Sequence, residues 1–575
     1  MSYAIAQPLT VKTDSAGQLN KLIADSVKFT IAELKVNGPL NGADLKLIQQ
    51  IATRTKTDKK NPNECLLNSI DMSEAEIVEG KEGMKTKDDE LPSGFFSGAK
   101  NLQKVLLPDG ITSISKNCFN NCESLAEVNI PQNVSEIESQ AFNDCESLTA
   151  ITFPTGLKSI GAHAFDGCKL LTSIDIPEYV TTIENDAFEG CKALTTVIIR
   201  GKVSEVKNST FENCESLAQI ELPKTISEIG SNAFHNCKSL NSISLPSVKN
   251  IGSSAFMDCL SLESIDMENV RTIGNAAFQN CKSLKTVIVK SLGKLSSNAF
   301  EKCSSLTTVS LGGSLDEVGS DAFKECQSLE QIELPGTVKT IGGEAFMKCS
   351  SLKSINLPNT LVKISSDAFR DCSSLQTIVI PRQVKSVDNG AFEDCSALQS
   401  VKIDAFLSEI SANTFEGCKN LKEVLLPISI KKIGSDAFLD CNSLVSIQLN
   451  TGLVEIGNSA FEKCTSLTSI VIPATVTNIG SDAFQGCSAL TSAELSVGLK
   501  KIGSTAFGKC VSLVNIKSNA PMPPKISKNT FKGVTGACQL TVPVGCRIIY
   551  QQDKQWSASF AQISEVSNFG VINSQ

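Results

Sequence analysis

Cysteine and histidine are the residue types in this chain that could do chemistry, and their spacing says which chemistry to consider. Of the 22 cysteines, 18 recur at one fixed place between Cys122 and Cys510, three residues after a phenylalanine and three before a leucine. Thiols in such number could be bridged, ligate metal or act as nucleophiles. No Cys-x-x-Cys pair occurs, and ligands strung along a line cannot converge tetrahedrally on one ion. Stacked repeats lie about one strand spacing apart, ~4.8 Å, which is within reach of a disulfide. Equivalent residues of a stack point the same way, however, and a bridge needs its two sulfurs turned toward each other. The 18 thiols are therefore expected to form a ladder of small buried hydrophobes with weak S–H donors. Of the remaining four, Cys65, Cys118, Cys538 and Cys546, the last two are the best candidates for a bridge.

The only histidines, His163 and His235, sit three repeat steps apart, on the order of 15 Å along a stack. They cannot readily share a site and read as surface residues. With no activated Ser or Cys arrangement in view, no catalytic residues are assigned and no enzyme is expected. Acidic residues such as Asp175, Glu221, Asp266 and Glu333 fall on one strand face, where calcium ligands could be imagined. Their irregular recurrence favours a solvated face, so neither a metal nor a cofactor is expected.

The elements that must position these residues are set by a repeat. Counting the frame Phe-x-x-Cys-x-x-Leu from Phe96, where Ala99 replaces the cysteine, to Phe507 gives 19 copies, and a relaxed copy follows at Phe531. The step is 23 residues, except for three steps of 22 that link Phe234, Phe256, Phe278 and Phe300. Periods of this length mean stacked units that cannot bury their apolar faces alone, which is a solenoid. Within a repeat, Leu352-Lys-Ser-Ile355-Asn-Leu357 alternates as a strand and Pro358 ends it. Leu361, Ile364, Ala368 and Phe369 then face the same core from the opposite wall, and a short helical turn is expected to end at Cys372. The glycine that often follows the isoleucine, as in Ile160-Gly161 and Ile433-Gly434, marks a left-handed or tightly packed position.

Outside the repeat, residues 7–66 are expected to form an N-terminal α/β cap. There Leu34-Lys-Val36 reads as a strand, Asn37 to Gly42 as a turn, and Asp44 to about Thr53 as an amphipathic helix. Residues 67–515 form the solenoid of about 19–20 repeats, interrupted early by a solvated loop from Val78 to Glu90. Residues 516–575 form a C-terminal cap, with a strand at Leu540-Thr-Val542, a helix from Cys546 to about Trp556, and Phe560 and Ile563 as apolar cover.

A net charge of −8 with both signs interspersed leaves no footprint for nucleic acid. No apolar run is long enough to span a bilayer. Ala4-Ile5-Ala6 before Gln7 resembles the end of a secretory signal whose earlier part would precede Met1.

The pattern Leu-x-x-Ile-x-Ile/Leu-Pro-x-x-Val-x-x-Ile-Gly-x-x-Ala-Phe-x-x-Cys resembles that of BspA-like leucine-rich repeat proteins, bacterial surface proteins also expanded in some protozoa. The resemblance covers about residues 67 to 531. The ends are similar to those of secreted members from Bacteroidetes. Val36-Asn-Gly-Pro-Leu-Asn-Gly42 carries the likeness at the start; Leu540-x-Val-Pro-x-Gly545, Tyr550, Trp556, Phe560 and Ile563-Ser-Glu565 carry it at the close. The resemblance implies an α/β solenoid, a leucine-rich repeat right-handed superhelix with a parallel concave β-sheet. It also implies export and adhesion to host matrix proteins, epithelial cells or other bacteria.

The expected function is a non-enzymatic, extracellular or cell-surface monomer that binds a protein ligand. The alternatives are a structural spacer and an intracellular scaffold. Binding is assigned to outward positions of the strand face: Asp175, Glu221, Asp266, Glu333, Asn356, Lys402 and Gln448. The central outward column of that face contains no aromatic residue, which favours a broad polar surface over a tight pocket.

Overall fold

The structure is a computed structural model that describes residues 7–53 and 66–566; Ala4 to Ala6 and Cys65 lie outside them. It contains two compact units, Met1–Leu284 and Lys285–Gln575.

In both units each repeat wraps one turn of a parallel β-solenoid, and most repeats place one short strand on each of two walls. In the first unit the strands Ser173–Ile176, Thr196–Ile199 and Gln219–Glu221 pair in parallel, with Asp175 beside Ile198 and Ile198 beside Glu221. Their opposite numbers are two-residue strands, Ser113–Ile114, Glu136–Ile137, Ser159–Ile160 and Thr182–Ile183. The second unit repeats this plan, for example in Thr377–Ile380, Ser400–Ile403 and Glu423–Leu425 on one wall. Period-two alternation sets the burial: Ile378 and Ile380 are inside, Thr377 and Val379 outside. At residues 352–357 and 445–449 the same alternation holds, yet no strand forms there, which interrupts the sheet of the second unit.

Leu361, Ile364, Ala368 and Phe369 are fully buried, as the pattern predicts. The expected helical turn before Cys372 is absent, and among the described residues helices occur only at 19–22, 42–53, 547–552 and 554–559. In its place Asp367 and Asp371 adopt left-handed backbone, φ 55° and 59°. The same pair recurs around nearly every ladder phenylalanine, as at Asn117 and Asn121 or Asp436 and Asp440. Alternating hand lets every second N–H of the turn donate to the next repeat: Asn117 N to Ser139 O, Phe119 N to Ala141 O, Asn121 N to Asn143 O. A helix would have turned those donors along its own axis. Of the two roles open to the glycine after isoleucine, tight packing is the one realised. Gly161 is not left-handed, and a Cβ there would lie 2.5 Å from the Ser139 nitrogen.

Stacking places the phenylalanine rings nearly parallel, with centroids 5.0 Å apart for Phe119 and Phe142 and 5.5 Å for Phe323 and Phe346. The thiols run beside them as the expected ladder. Each is buried and unbridged, and most are seen to donate to a phenylalanine carbonyl of the preceding repeat, as Cys349 does to Phe323 O at 3.2 Å. Cys538 and Cys546, the best candidates for a bridge, are also free. Burial pushes the ladder thiols far up, to about 12 even at Cys122 and Cys510. Since the thiolate is the reactive form, native protein treated with a maleimide should be modified at partly exposed Cys546 while Cys349 stays intact. Peptide mass spectrometry checks this; equal labelling of Cys349 and Cys546 in native buffer contradicts it.

Near the N-terminus the helix Gly42–Thr53 forms close to where it is expected. Residues 37–42 are not a free turn: strand Ile31–Leu40 runs through them and pairs Gly38, Pro39 and Leu40 with Ala75, Glu76 and Ile77. The backbone can pass Thr13 there because Gly38 has φ 92° and no Cβ, which would lie 2.2 Å from the Thr13 carbonyl. The 78–90 segment is less solvated than expected. Thr86 is buried and donates to Val78 O, and Met84 N donates to Gly42 O. At the other end the single expected helix is two, Arg547–Gln552 and Lys554–Ser559, because Asp553 is extended and caps the second by accepting from Gln555 N and Trp556 N.

Candidate functional site

All seven residues assigned to binding are exposed. Asp175, Glu221 and Asp266 belong to the first unit and Glu333, Asn356, Lys402 and Gln448 to the second, and within each unit they fall on different repeats. Asp175 takes both Nε and Nη2 of Arg200, at 2.8 and 2.9 Å. Ser244 donates to Asp266 at 3.5 Å, Ser310 to Glu333 at 3.0 Å, and Lys402 to Asp404 at 3.2 Å. Glu221 stands two strands from Asp175, roughly 10 Å away. Asn356 and Gln448 lie in the two stretches where the strand is not formed.

Of these residues, Asp175 belongs to a cleft in the first unit. About 440 Å³ in volume, the cleft is lined by Ile151, Thr152, Phe153, Thr155, Asp175, Pro177, Glu178, Tyr179 and Arg200. Pro177 ends the strand, and the loop beyond it projects Tyr179, which is 68% exposed. The bidentate pair holds the Arg200 guanidinium beside Asp175 in a fixed orientation. Tyrosine and arginine are the side chains that most often anchor protein interfaces.

The second unit exposes apolar groups at the same strand-end position. Phe406 is 65% exposed under the Arg382 guanidinium at 5.5 Å, and Ile428 is 83% exposed. Beside Ile428, a smaller cleft of about 300 Å³ is lined in part by Leu425 and Gln448. Reading only the central outward column misses Tyr179 and Phe406, because both sit in loops after the strand. The available signal is an aromatic residue two places beyond the strand-ending position, outside the buried pattern.

The histidines are not isolated surface residues. His163 Nδ1 lies 3.1 Å from Asp166 and Nε2 3.5 Å from Asp186. His235 likewise stands between Glu212 at 2.9 Å and Asp258 at 3.6 Å. Near His163, burial and the neighbouring Asp166 and Glu212 carboxylates push the Glu189 carboxyl up to about 7. No helix among the described residues is long and apolar enough to cross a membrane.

Leucine-bearing turns stacked in parallel, with a mostly polar outward strand face, define a leucine-rich repeat solenoid, a class of generally non-enzymatic scaffolds that bind protein partners. The chain belongs to the BspA-type leucine-rich repeat family, whose six-copy repeat region matches residues 89–218, 204–330, 316–445 and 408–538. No curated protein matches the sequence. Among solved structures, a leucine-rich repeat protein from Bacteroides ovatus is 28% identical, over 67% of this chain and 87% of its own, with a TM-score of 0.47. A leucine-rich cell surface protein from Faecalibacterium prausnitzii is 26% identical, over 62% and 87%, with a TM-score of 0.34. A leucine-rich repeat protein from Eubacterium ventriosum is 23% identical, over 51% and 83%, with a TM-score of 0.34.

Proposed function

We propose that the chain is an adhesion protein, extracellular or on the cell surface, that binds a host matrix or epithelial protein as a monomer. On this reading residues 67–515 are the binding solenoid, and residues 7–66 and 516–575 are caps over its apolar ends. Family membership supports a protein partner. The observation that carries the reading is the first-unit cleft, where an exposed Tyr179 and an oriented Arg200 stand beside open apolar surface. The strand-face carboxylates then add polar contacts, and Phe406 with Ile428 offers a further apolar contact in the second unit.

Binding to immobilised extracellular-matrix proteins and to fixed epithelial cells tests it, with the full chain as analyte. Saturable binding is expected. Tyr179→Ala should weaken it by about 2 kcal/mol, roughly thirtyfold in Kd, as truncating a central anchor does. Ser173→Ala, exposed on the same strand, should leave it unchanged. Absence of saturable binding favours a spacer, and full binding by the Tyr179 variant removes the cleft from the interface.

A further inference from the structure

We propose that the turn edge of the first unit carries a zinc-class divalent metal site made by His163, Asp166 and Glu189, with Asp186 orienting the imidazole from outside. Ligand atoms of the first three lie within 4.8 Å of one another, and all three are partly exposed, so an ion can reach them from solvent. The solenoid creates this proximity. Asp166 and Glu189 occupy the place just after the ladder phenylalanine in successive repeats, Phe165 and Phe188, while His163 and Asp186 occupy the left-handed place before it, φ 53° and 58°.

Three features point to a bound cation. First, His163 faces a carboxylate with each ring nitrogen, Asp166 at Nδ1 and Asp186 at Nε2. A neutral imidazole has one N–H and can donate to only one of them. An imidazolium would serve both, as it can at His235. Among the described residues, only at His163 does a third ligand, Glu189, stand close enough for a metal on Nδ1 instead. Asp166 then becomes a ligand, and Nε2–H donates to Asp186 in the carboxylate–histidine–metal arrangement that orients such ligands. Second, among the described residues no lysine or arginine pairs with Asp166, Asp186 or Glu189, and Glu189 has no side-chain partner at all. Third, at some of the equivalent turn places of the second unit the carboxylate is neutralised by a base within the chain. Asp321 and Glu344 meet Lys324, and Glu393 meets Arg370 at 2.8 Å.

The donor set selects the metal. Calcium takes six to eight oxygens, whereas one imidazole with carboxylates suits zinc and its neighbours. Bonds of about 2.0–2.2 Å in a tetrahedral site put ligand atoms roughly 3.3–3.6 Å apart. Rotation of the unpartnered Glu189 side chain supplies the closure, and water takes the fourth position.

The test uses the full chain, stripped with chelator, incubated with zinc alone and freed of excess by gel filtration. One equivalent of zinc and a raised Tm are expected. His163→Asn, which keeps a residue suited to left-handed backbone, and Glu189→Gln should each lose that equivalent. Asp186→Asn should retain a site weakened about 10–100-fold, and His235→Asn should bind like the parent. Cobalt substitution should show no thiolate charge-transfer band. Retention of no zinc by the parent, retention unchanged in His163→Asn, or a cobalt–thiolate band overturns the proposal.

Discussion

Replacing Phe346 with alanine is expected to destabilise the second unit by about 3–5 kcal/mol, the usual cost of emptying a buried phenylalanine position. The ring is fully buried and stacked on both sides, 5.5 Å from Phe323 and 5.2 Å from Phe369 at interplanar angles of 3° and 9°. Truncation removes its own burial and one stacking partner from each neighbour, contacts worth about 0.5–1.5 kcal/mol each beyond area. Backbone relaxation cannot fill the space, because Phe346 N is committed to Ala368 O in the next repeat at 2.8 Å. A repeat array is stabilised by nearest-neighbour interfaces, so damage in the middle weakens coupling between the repeats on either side as well as total stability. Urea unfolding followed by far-UV circular dichroism should show an earlier and broader transition for Phe346→Ala, with Phe346→Leu intermediate. A midpoint and slope matching the parent would mean that the ring stack is not what couples the repeats.

The stack was open to reading because its residues are buried in every repeat. Phenylalanine, cysteine and leucine keep one frame, and burial follows that frame directly. The backbone between them was harder to read. Left-handed conformation falls on Asn117, His163, Ser209, Ala276, Lys302 and Thr505 as well as on the aspartates, so residue type marks it weakly. Asparagine and aspartate on both sides of the phenylalanine, as in Asp367 and Asp371, were the usable signal, since these residues tolerate that region best. The functional surface was hardest. Asp175 was legible because it stands on the strand, but Arg200 reaches it from the end of the neighbouring strand, and Tyr179 comes from a loop whose residues face no core. The cluster at His163 is assembled from two successive repeats. Reading repeats for their shared frame separates residues that stacking then brings side by side.

Trp556→Ala is expected to cost a similar ~3–5 kcal/mol, but the loss should be felt at one end rather than in the middle. Trp556 is fully buried, lies 5.6 Å from Phe531, the last ring of the stack, and packs against Tyr550 at 5.2 Å and Phe560 at 5.7 Å. Its Nε1–H donates to Pro524 O at 2.8 Å, while Tyr550 donates to Ala520 O at 2.9 Å, so two rings tie the closing helices to the chain that leads into them. Alanine removes the cover and leaves a buried carbonyl unpaired. Phenylalanine restores the cover alone and should recover all but about 1–3 kcal/mol, the cost of that orphaned acceptor. Because neighbours stabilise one another in sequence, exposure of the last apolar face should spread inward with diminishing effect. The thiol ladder reports that gradient directly: in Trp556→Ala, native-state alkylation should rise most at Cys510, less at Cys487 and Cys464, and not at all at Cys349. Uniform labelling along the ladder would mean that the unit opens as one cooperative block, and no labelling at Cys510 would mean that the closing helices do not hold the last repeat shut.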